Sequence, residues 1–469
     1  MTRETAVASA LKYYDDRGSG YFADLARWVA VPTESQNPER VGVLGEYLQT
    51  VIRPELEALG YAIKIFPNPL AGCGPVLLGT RIEDPSLPTF ISYGHGDVVL
   101  GMEGRWANDR DPWKLSFEDE RVYGRGVADN KGQTLVHVAA LREVMKARGG
   151  KLGFNHKFLI ETGEENGSKG LKDIIDANKA DFAADGFLSS DGPRTEIGRP
   201  NITLGNRGCA NFILTVDLRE GGHHSGNWGG LLANPGIILA HALASIVDAK
   251  GRILVDGWRP EIPGGVREVL KGIDRDAGPR APKIDDYWGE PGLSRIEKIA
   301  AFNSFDVLAF ETGNPAKPVN AVPPKARAVC ALRYVVGTDA ENIVSNLRRH
   351  LDERGFTQVT IEPPPAGNNG RFEASRTDHN HPWAQWVKGA VERNSNQPCG
   401  VLPNGGGSNM TYMLQYGIGM PCAWLPLSYA GCSQHAPDEH ILVPLMREGL
   451  RHVTGIYWDL GDKQTGYRP

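Results

Sequence analysis

The sequence predicts an α/β protein: a three-layer domain with helices on both faces of a mixed sheet, and a smaller ferredoxin-like α+β domain inserted into it. Three observations predict this. Segments of helical and strand periodicity alternate from the N-terminus to about Gly205. The stretch that follows reads strand–helix–strand–strand–helix–strand, the order of a split βαβ sandwich. Patterns of the first kind resume near Asp378. At 469 residues the chain exceeds one ordinary core. The expected division is residues 1–205 with 375–469 as one domain and 206–374 as the other.

Taken in order, residues 5–30 repeat apolar side chains at helical spacing (Ala10, Leu11, Tyr14, then Tyr21, Leu25, Trp28, Val29). A second helix is expected from Arg40 to Leu59, ending at Gly60. Residues 61–66 alternate like a strand, and 76–80 and 89–93 are short apolar runs suited to buried strands. Residues 132–147 read as a helix and 157–161 as a strand. In the inserted unit the strands are expected at 210–218, 305–311, 326–336 and 357–362, with helices at 234–250 and 340–354. A Gly/Pro-rich insertion near 257–296 interrupts it, and PPPAGNNG, 363–370, is a linker by composition.

Apolar residues make up 41% and charged residues 23%, as in globular proteins, and the net charge of −5 comes with no basic stripe, so no nucleic-acid partner is expected. No apolar run approaches the roughly 20 residues of a membrane span. The N-terminus lacks the apolar core of a signal peptide. The six cysteines form no CxxC pair. A cytoplasmic protein with free thiols and no membrane association is expected.

The chemistry-bearing residues are scattered. His95 and Asp97 sit two apart at a strand end, so their side chains share a face, and a carboxylate beside an imidazole can fix its tautomer as a metal ligand. Asp129 lies between Gly124-Arg125-Gly126 and Lys131-Gly132; alone it reads as a turn and helix cap. Glu164 and Glu165 follow the strand HKFLI, where α/β sheets place ligands, and two neighbouring carboxylates can divide metal binding and proton transfer. A solvated acidic turn is the alternative. Asp191 sits in an Asp-Gly-Pro turn, and His435 lies in a Pro-bearing loop near Asp438 and Glu439. Each is ambiguous alone. Together, two histidines and several carboxylates without thiolates suit a pair of divalent ions at a hydrolytic site, zinc first, with manganese or cobalt as options.

The motifs GHGDVV, DPW, YGRGVADNKG, ETGEENGS, SSDGP, HHSG and HAPDEHI, in this order over most of the chain, resemble the zinc aminoacylase, carnosinase and carboxypeptidase-G family of metallopeptidases (peptidase family M20). The resemblance implies that His95 and Asp191 bind one metal and Glu165 and His435 the other. Asp129 would bridge the two, with a cis peptide to Asn130. Asp97 would orient His95, and Glu164 would be the general base for a metal-bridging water, then the acid for the leaving amine. The inserted domain would be a lid and dimerisation domain, making a homodimer. His224, with His223 an adjacent competitor, would stabilise the oxyanion, in many members from the neighbouring subunit. Asn320, Arg333 and the run ending Gly407-Ser408 would hold the polar end of the substrate.

The implied activity is dinuclear hydrolysis of an amide in a dipeptide or N-acyl amino acid. One departure stands out. The text LPNGGGSNMTYM has Asn404 where dipeptidases of this family often carry Arg, and Asn409-Met410 where Ile-Pro often follows. A specialised non-peptide amide or amine, cleaved by a deacylase or deaminase type of reaction, is therefore the alternative substrate class. A non-catalytic binding homologue ranks below both, because His95, Asp129, Glu164, Glu165, Asp191 and His435 are all present.

Overall fold

The computed structural model describes residues 2–275, 282–364 and 371–469. Its main sheet has eight strands in the spatial order Ala62–Phe66, Val76–Arg81, Asn155–Glu161, Thr89–His95, Gly186–Ser189, Cys422–Trp424, Asn201–Thr203 and Gly400–Leu402. The sheet is mixed. Its first two pairings are antiparallel, and the three that join Asn155–Glu161 through to Cys422–Trp424 are parallel.

Side-chain alternation explains the layers. Phe90, Phe158 and Leu188 point into a core shared with the helices Lys131–Ala147, Pro382–Ser395 and Val443–Gly461. Ile91, Tyr93, Leu159 and Phe187 point the other way, onto Leu171–Ala177 and Thr411–Gly417. Strands apolar on both faces are what a sheet sandwiched between helices requires.

The second sheet is antiparallel, in the order Ser304–Thr312, Lys325–Tyr334, Gly208–Asp217, Thr360–Glu362. The helices Pro235–Ile246 and Ile343–Glu353 share a separate core with it, built on Phe212, Leu214, Leu239, Trp258, Leu332 and Leu347. Two strands of two residues, Gly205–Asn206 and Ser375–Arg376, pair where the chain leaves and re-enters the larger domain.

Three elements differ from the sequence reading. The expected helix over 5–30 is two, Arg3–Asp15 and Tyr21–Val29. The break falls at Gly20, where a Cβ would lie 1.9 Å from the Tyr13 carbonyl oxygen. The helix expected over 40–59 widens to a π-helical turn at Leu48–Ile52 before Arg53–Ala58. Pro54 has no N–H to continue an α-helical ladder, and a π-turn accommodates such an interruption. The insertion near 257–296 is not an isolated loop. Its helices Gly264–Leu270 and Arg295–Ala300 bury Val266, Leu270, Ile296 and Ala300 against Leu402 of the main sheet. Residues 276–281 of the insertion, and most of the 363–370 linker, lie outside the described residues. No described helix is long and apolar enough to cross a membrane.

Candidate active site

The strands Asn155–Glu161, Thr89–His95 and Gly186–Ser189 are neighbours and run parallel, so their C-terminal ends line one edge of the sheet. His95 closes one of them, and Glu164–Glu165 and Asp191 follow the other two within a few residues. This is the edge where open α/β sheets bind ligands. Asp129 arrives from the turn before Lys131–Ala147. That turn is tight: a Cβ on Gly132 would stand 2.0 Å from the Val127 carbonyl oxygen. The Asp129–Asn130 peptide is cis. His435 comes from a C-terminal loop, at φ +60°, a conformation that is uncommon for a residue other than glycine. Asp438 anchors this loop by accepting from the Ala107 N–H at 3.1 Å and from Arg110 at 2.9 Å.

These residues converge. The Nε2 of His95 is 3.0 Å from Asp129 Oδ1, and the Nε2 of His435 is 3.1 Å from Asp129 Oδ2 and 3.0 Å from Glu165 Oε2. Two groups of potential ligand atoms result, each within 4.8 Å: His95, Asp129 and Asp191, and Asp129, Glu165 and His435. Asp129 belongs to both, one carboxylate oxygen facing each histidine. Glu164 belongs to neither group. Asp97 sits behind. Its main-chain carbonyl lies 3.0 Å from His95 Nδ1 and its carboxylate 3.6 Å from the same atom. That carboxylate also accepts the N–H groups of Glu164 at 3.2 Å and Glu165 at 3.0 Å. One residue thus positions the imidazole through its main-chain carbonyl and the two glutamates through its carboxylate.

The electrostatics describe a site with too much negative charge. Burial pushes the Glu164 carboxyl well above its ordinary range, and neighbouring carboxylates add to the shift. Burial and Asp129 push Glu165 up to about 7, and the same two causes push Asp191 up to about 6. Burial opposes the charge on Asp129, but the imidazoles of His435 and His95 hold its carboxyl below the usual range. Hydrogen bonds to Asp129 and Glu165 raise His435 to about 11. The Oε1 of Glu165 is buried without a hydrogen-bond partner. A polar oxygen left in this way, among carboxylates reluctant to ionise, fits cations held by nitrogen and oxygen donors.

This charge set has a measurable consequence. Glu165, Asp191 and His435 hold protons in the folded, metal-free protein at pH values where the unfolded chain has released them. Their share of the metal-free protein's stability therefore falls as pH rises: the Asp191 and Glu165 parts are lost from the ordinary carboxylate range through about 6 and about 7, and the His435 part from the ordinary imidazole range through about 11. Buried neutral His137 and His156 act in the opposite sense below the ordinary imidazole range, so the site is read as a difference: between pH 5 and pH 8 the thermal midpoint of chelator-treated protein should drop relative to that of Glu165→Gln, and the midpoint gained on adding a divalent ion should grow over the same range. A metal-free midpoint that rises relative to Glu165→Gln over this range would contradict the charge arrangement.

Several supporting residues show no sign of their role in the sequence. Glu439 is buried and pairs with buried Arg125 at 2.8 Å. Its carboxylate also accepts the N–H groups of Gly126, Ala128 and Asp129, at 2.9 to 3.1 Å, so it shapes the turn that presents Asp129. Removing one partner of a buried ion pair typically costs about 3–5 kcal/mol. Arg125→Met is expected to destabilise the larger domain by about that much, read by denaturant unfolding, and to weaken metal retention. A second support is a buried hydrogen-bonded chain from Tyr61 through His156, Ser92, Tyr457 and His137 to the Ser190 hydroxyl, with every link between 2.6 and 3.1 Å. Burial pushes both histidines down to about 3, so they are neutral. Ser190 precedes Asp191, and its carbonyl accepts from Asn130 Nδ2 at 2.9 Å. The chain thereby braces the backbone beside two candidate ligands.

A cavity of about 450 Å³ opens onto Asp129, Glu164, Asp191 and His435, with Gly407 and Ser408 on its lining. Arg333 reaches this rim from the smaller domain and donates to Ser408 Oγ at 2.8 Å. Ser408 in turn donates to the Arg207 carbonyl at 2.6 Å. Arg207, which the sequence reading missed, holds the same loop by donating from Nε to the Gly406 carbonyl at 3.0 Å. Its position between two strands at the junction of the domains was the available signal. Asn404 is buried, and its Nδ2 ties the loop to the carbonyls of Asn206 and Ser375. His224 and Asn320 lie elsewhere. They stand exposed on the smaller domain around the paired segments His223–His224 and Ala321–Val322, and neither lines the cavity.

A family model for peptidase family M20/M25/M40 matches residues 91–458. The chain belongs to this peptidase family. It is a metallopeptidase by membership, and divalent-metal use follows from that membership. Among curated proteins it is similar to the Beta-Ala-His dipeptidase of Rattus norvegicus, 31% identical over 97% of this chain and 96% of that one. It is also similar to the cysteinylglycine-S-conjugate dipeptidase of Corynebacterium striatum, 28% identical over 90% of this chain and 93% of that one. The fold matches that of the dipeptidase Dug1p from Saccharomyces cerevisiae, with a TM-score of 0.79 at 21% identity, covering 98% of both chains. It also matches human carnosine dipeptidase 1, with a TM-score of 0.78 at 23% identity, covering 97% of this chain and 98% of that one. This peptidase family therefore accounts for the three-layer domain with an inserted lid.

Proposed function

We propose that this protein is a dinuclear hydrolase that cleaves the amide bond of a dipeptide or an N-acyl amino acid. The observation that carries the reading is the pair of ligand groups sharing Asp129, with Glu164 outside both and facing the cavity. His95 and Asp191 hold one divalent ion and Glu165 and His435 the other, zinc first, with manganese or cobalt able to replace it. Divalent ions bound by these residues would supply polarisation of the scissile carbonyl and a water acidic enough to deprotonate near neutral pH. Glu164 takes the proton from the attacking water and delivers it to the leaving nitrogen. Its raised proton affinity suits a group that must both accept and return a proton. Asp97 keeps His95 and the two glutamates in register. Gly407 and Ser408, steadied by Arg333, hold the polar end of the substrate.

His224 and Asn320 act from a second protomer, which suits their exposure and their absence from the cavity lining in one chain. The edge strand Ser304–Thr312 carries exposed Val307, Leu308 and Phe310, an apolar edge suited to a homodimer. The six cysteines are free, which suits the cytoplasm. If His224 acts across the interface, mixing inactive Glu164→Gln and His224→Ala protomers restores activity, because the heterodimer holds one complete site. No recovery after verified subunit exchange places His224 in its own site.

The activity is tested by screening dipeptides, N-acyl amino acids and other amides with zinc- or manganese-loaded protein, measuring the released amine. Hydrolysis of dipeptides or N-acyl amino acids is expected. Cleavage confined to non-peptide amides would move the substrate to the specialised class that Asn404 suggests. No cleavage in the whole panel would remove the catalytic reading.

A further inference from the structure

The inserted segment that packs against Leu402 also forms a wall of the catalytic cavity, through Ile296, Ile299, Ala300 and Arg275. Beyond that wall lies a second chamber of about 710 Å³, which shares Arg275 and Ile299 with the first. Its other lining includes Ile284, Tyr287 and Trp288, all exposed. The chamber is firmly built. Lys298 donates to the carbonyl of Trp288 at 2.6 Å and to that of Asp286 at 3.2 Å. Arg295 grips the Asp286 carboxylate with two hydrogen bonds, at 2.6 and 2.8 Å.

The cations of this chamber are therefore committed, with one exception. Arg275 stands where the two spaces meet, half-buried, and no side chain among the described residues forms an ion pair or hydrogen bond with its guanidinium. Burial lowers its proton affinity, and no carboxylate among the described residues counters the shift. A partly desolvated guanidinium without a partner is costly to hold and is a ready site for a bidentate carboxylate.

We propose that Arg275 is a specificity residue that selects substrates with an acidic side chain, the outer chamber giving that side of the substrate room to extend past Ile299 toward Tyr287 and Trp288. The inference rests on the amide-hydrolase reading for the position of the substrate, and it adds a determinant on the wall formed by the insertion. The acidic group is distinct from the polar end held near Ser408.

Two matched ligand pairs test it, Glu-Ala with Gln-Ala and Ala-Glu with Ala-Gln, because each pair differs by one side-chain charge. Binding is measured by calorimetry on metal-loaded full-length Glu164→Gln protein, which blocks turnover, with and without Arg275→Gln. In at least one pair the acidic member should bind roughly tenfold or more tightly, the scale of a charge-assisted contact. Arg275→Gln should erase that preference and leave the neutral member unaffected, and Arg275→Lys should retain part of it. Equal binding within both pairs, a preference that survives Arg275→Gln, or no binding by any of the four overturns the proposal. Hydrolysis by the wild-type protein is scored separately. Ligands that bind with the expected preference but are never cleaved would count against the catalytic reading and leave the Arg275 assignment standing.

Discussion

Glu164→Gln should lower kcat by about three orders of magnitude, within the range typical for losing a general acid–base group, while metal content and fold are retained. Glu164 lines the cavity beside Asp129 but lies outside both ligand groups, so neutralising it removes a proton carrier without removing a donor. Its main-chain N–H still meets Asp97, so the loop should hold its shape. Metal analysis and circular dichroism alongside the kinetics separate this outcome from collapse of the site. A Glu164→Gln protein with near-normal kcat would show that proton transfer runs through another group, and one that loses its metal would make Glu164 a ligand.

Asp129→Ala should be at least as damaging for a different reason. Asp129 is the residue common to both ligand groups, with His95 at one carboxylate oxygen and His435 at the other. Removing it takes a donor from each group and leaves the two histidines without their shared anion. Loss of both ions and of measurable turnover is expected, whereas His435→Ala, which touches one group, should leave the His95 and Asp191 pair able to bind. If Asp129→Ala retained two ions, the bridging role would be wrong. The metal-free variant should also show a weaker pH dependence of stability, because Asp129 helps to raise Glu165, Asp191 and His435.

Much of the candidate site was legible because its residues sit in motifs with local structural meaning. A histidine ending a buried strand, paired glutamates just past another and an aspartate before a helix each announce their backbone position, and the parallel pairing of three strands brings them to one edge. The alternation of helix and strand likewise foretold the three-layer sheet, since both faces of each central strand are apolar. What stayed hidden depends on contacts between distant segments. Glu439 reads as one more acid in a loop until the fold sets it against Arg125 and the Asp129 turn, 310 residues away for the Asp129 N–H. His137 and Tyr457 look like interior residues of two helices; only helix packing makes them links toward Ser190. The insertion was legible as Gly- and Pro-rich, but its burial on Leu402 comes from a few apolar residues on short helices, too few to show a periodic signal. The helix break at Gly20 depends on the Tyr13 carbonyl, and glycine content alone does not reveal such an approach.

If His95, Asp129, Glu165, Asp191 and His435 hold two divalent ions, metal stoichiometry and activity rise and fall together. Protein stripped by chelation and titrated with zinc should take up two ions per chain, regain amide hydrolysis as the sites fill, and lose both properties in Asp129→Ala. Full hydrolysis by the stripped protein, or failure of the wild-type chain to bind any divalent ion, would rule out a two-ion hydrolytic site at these residues.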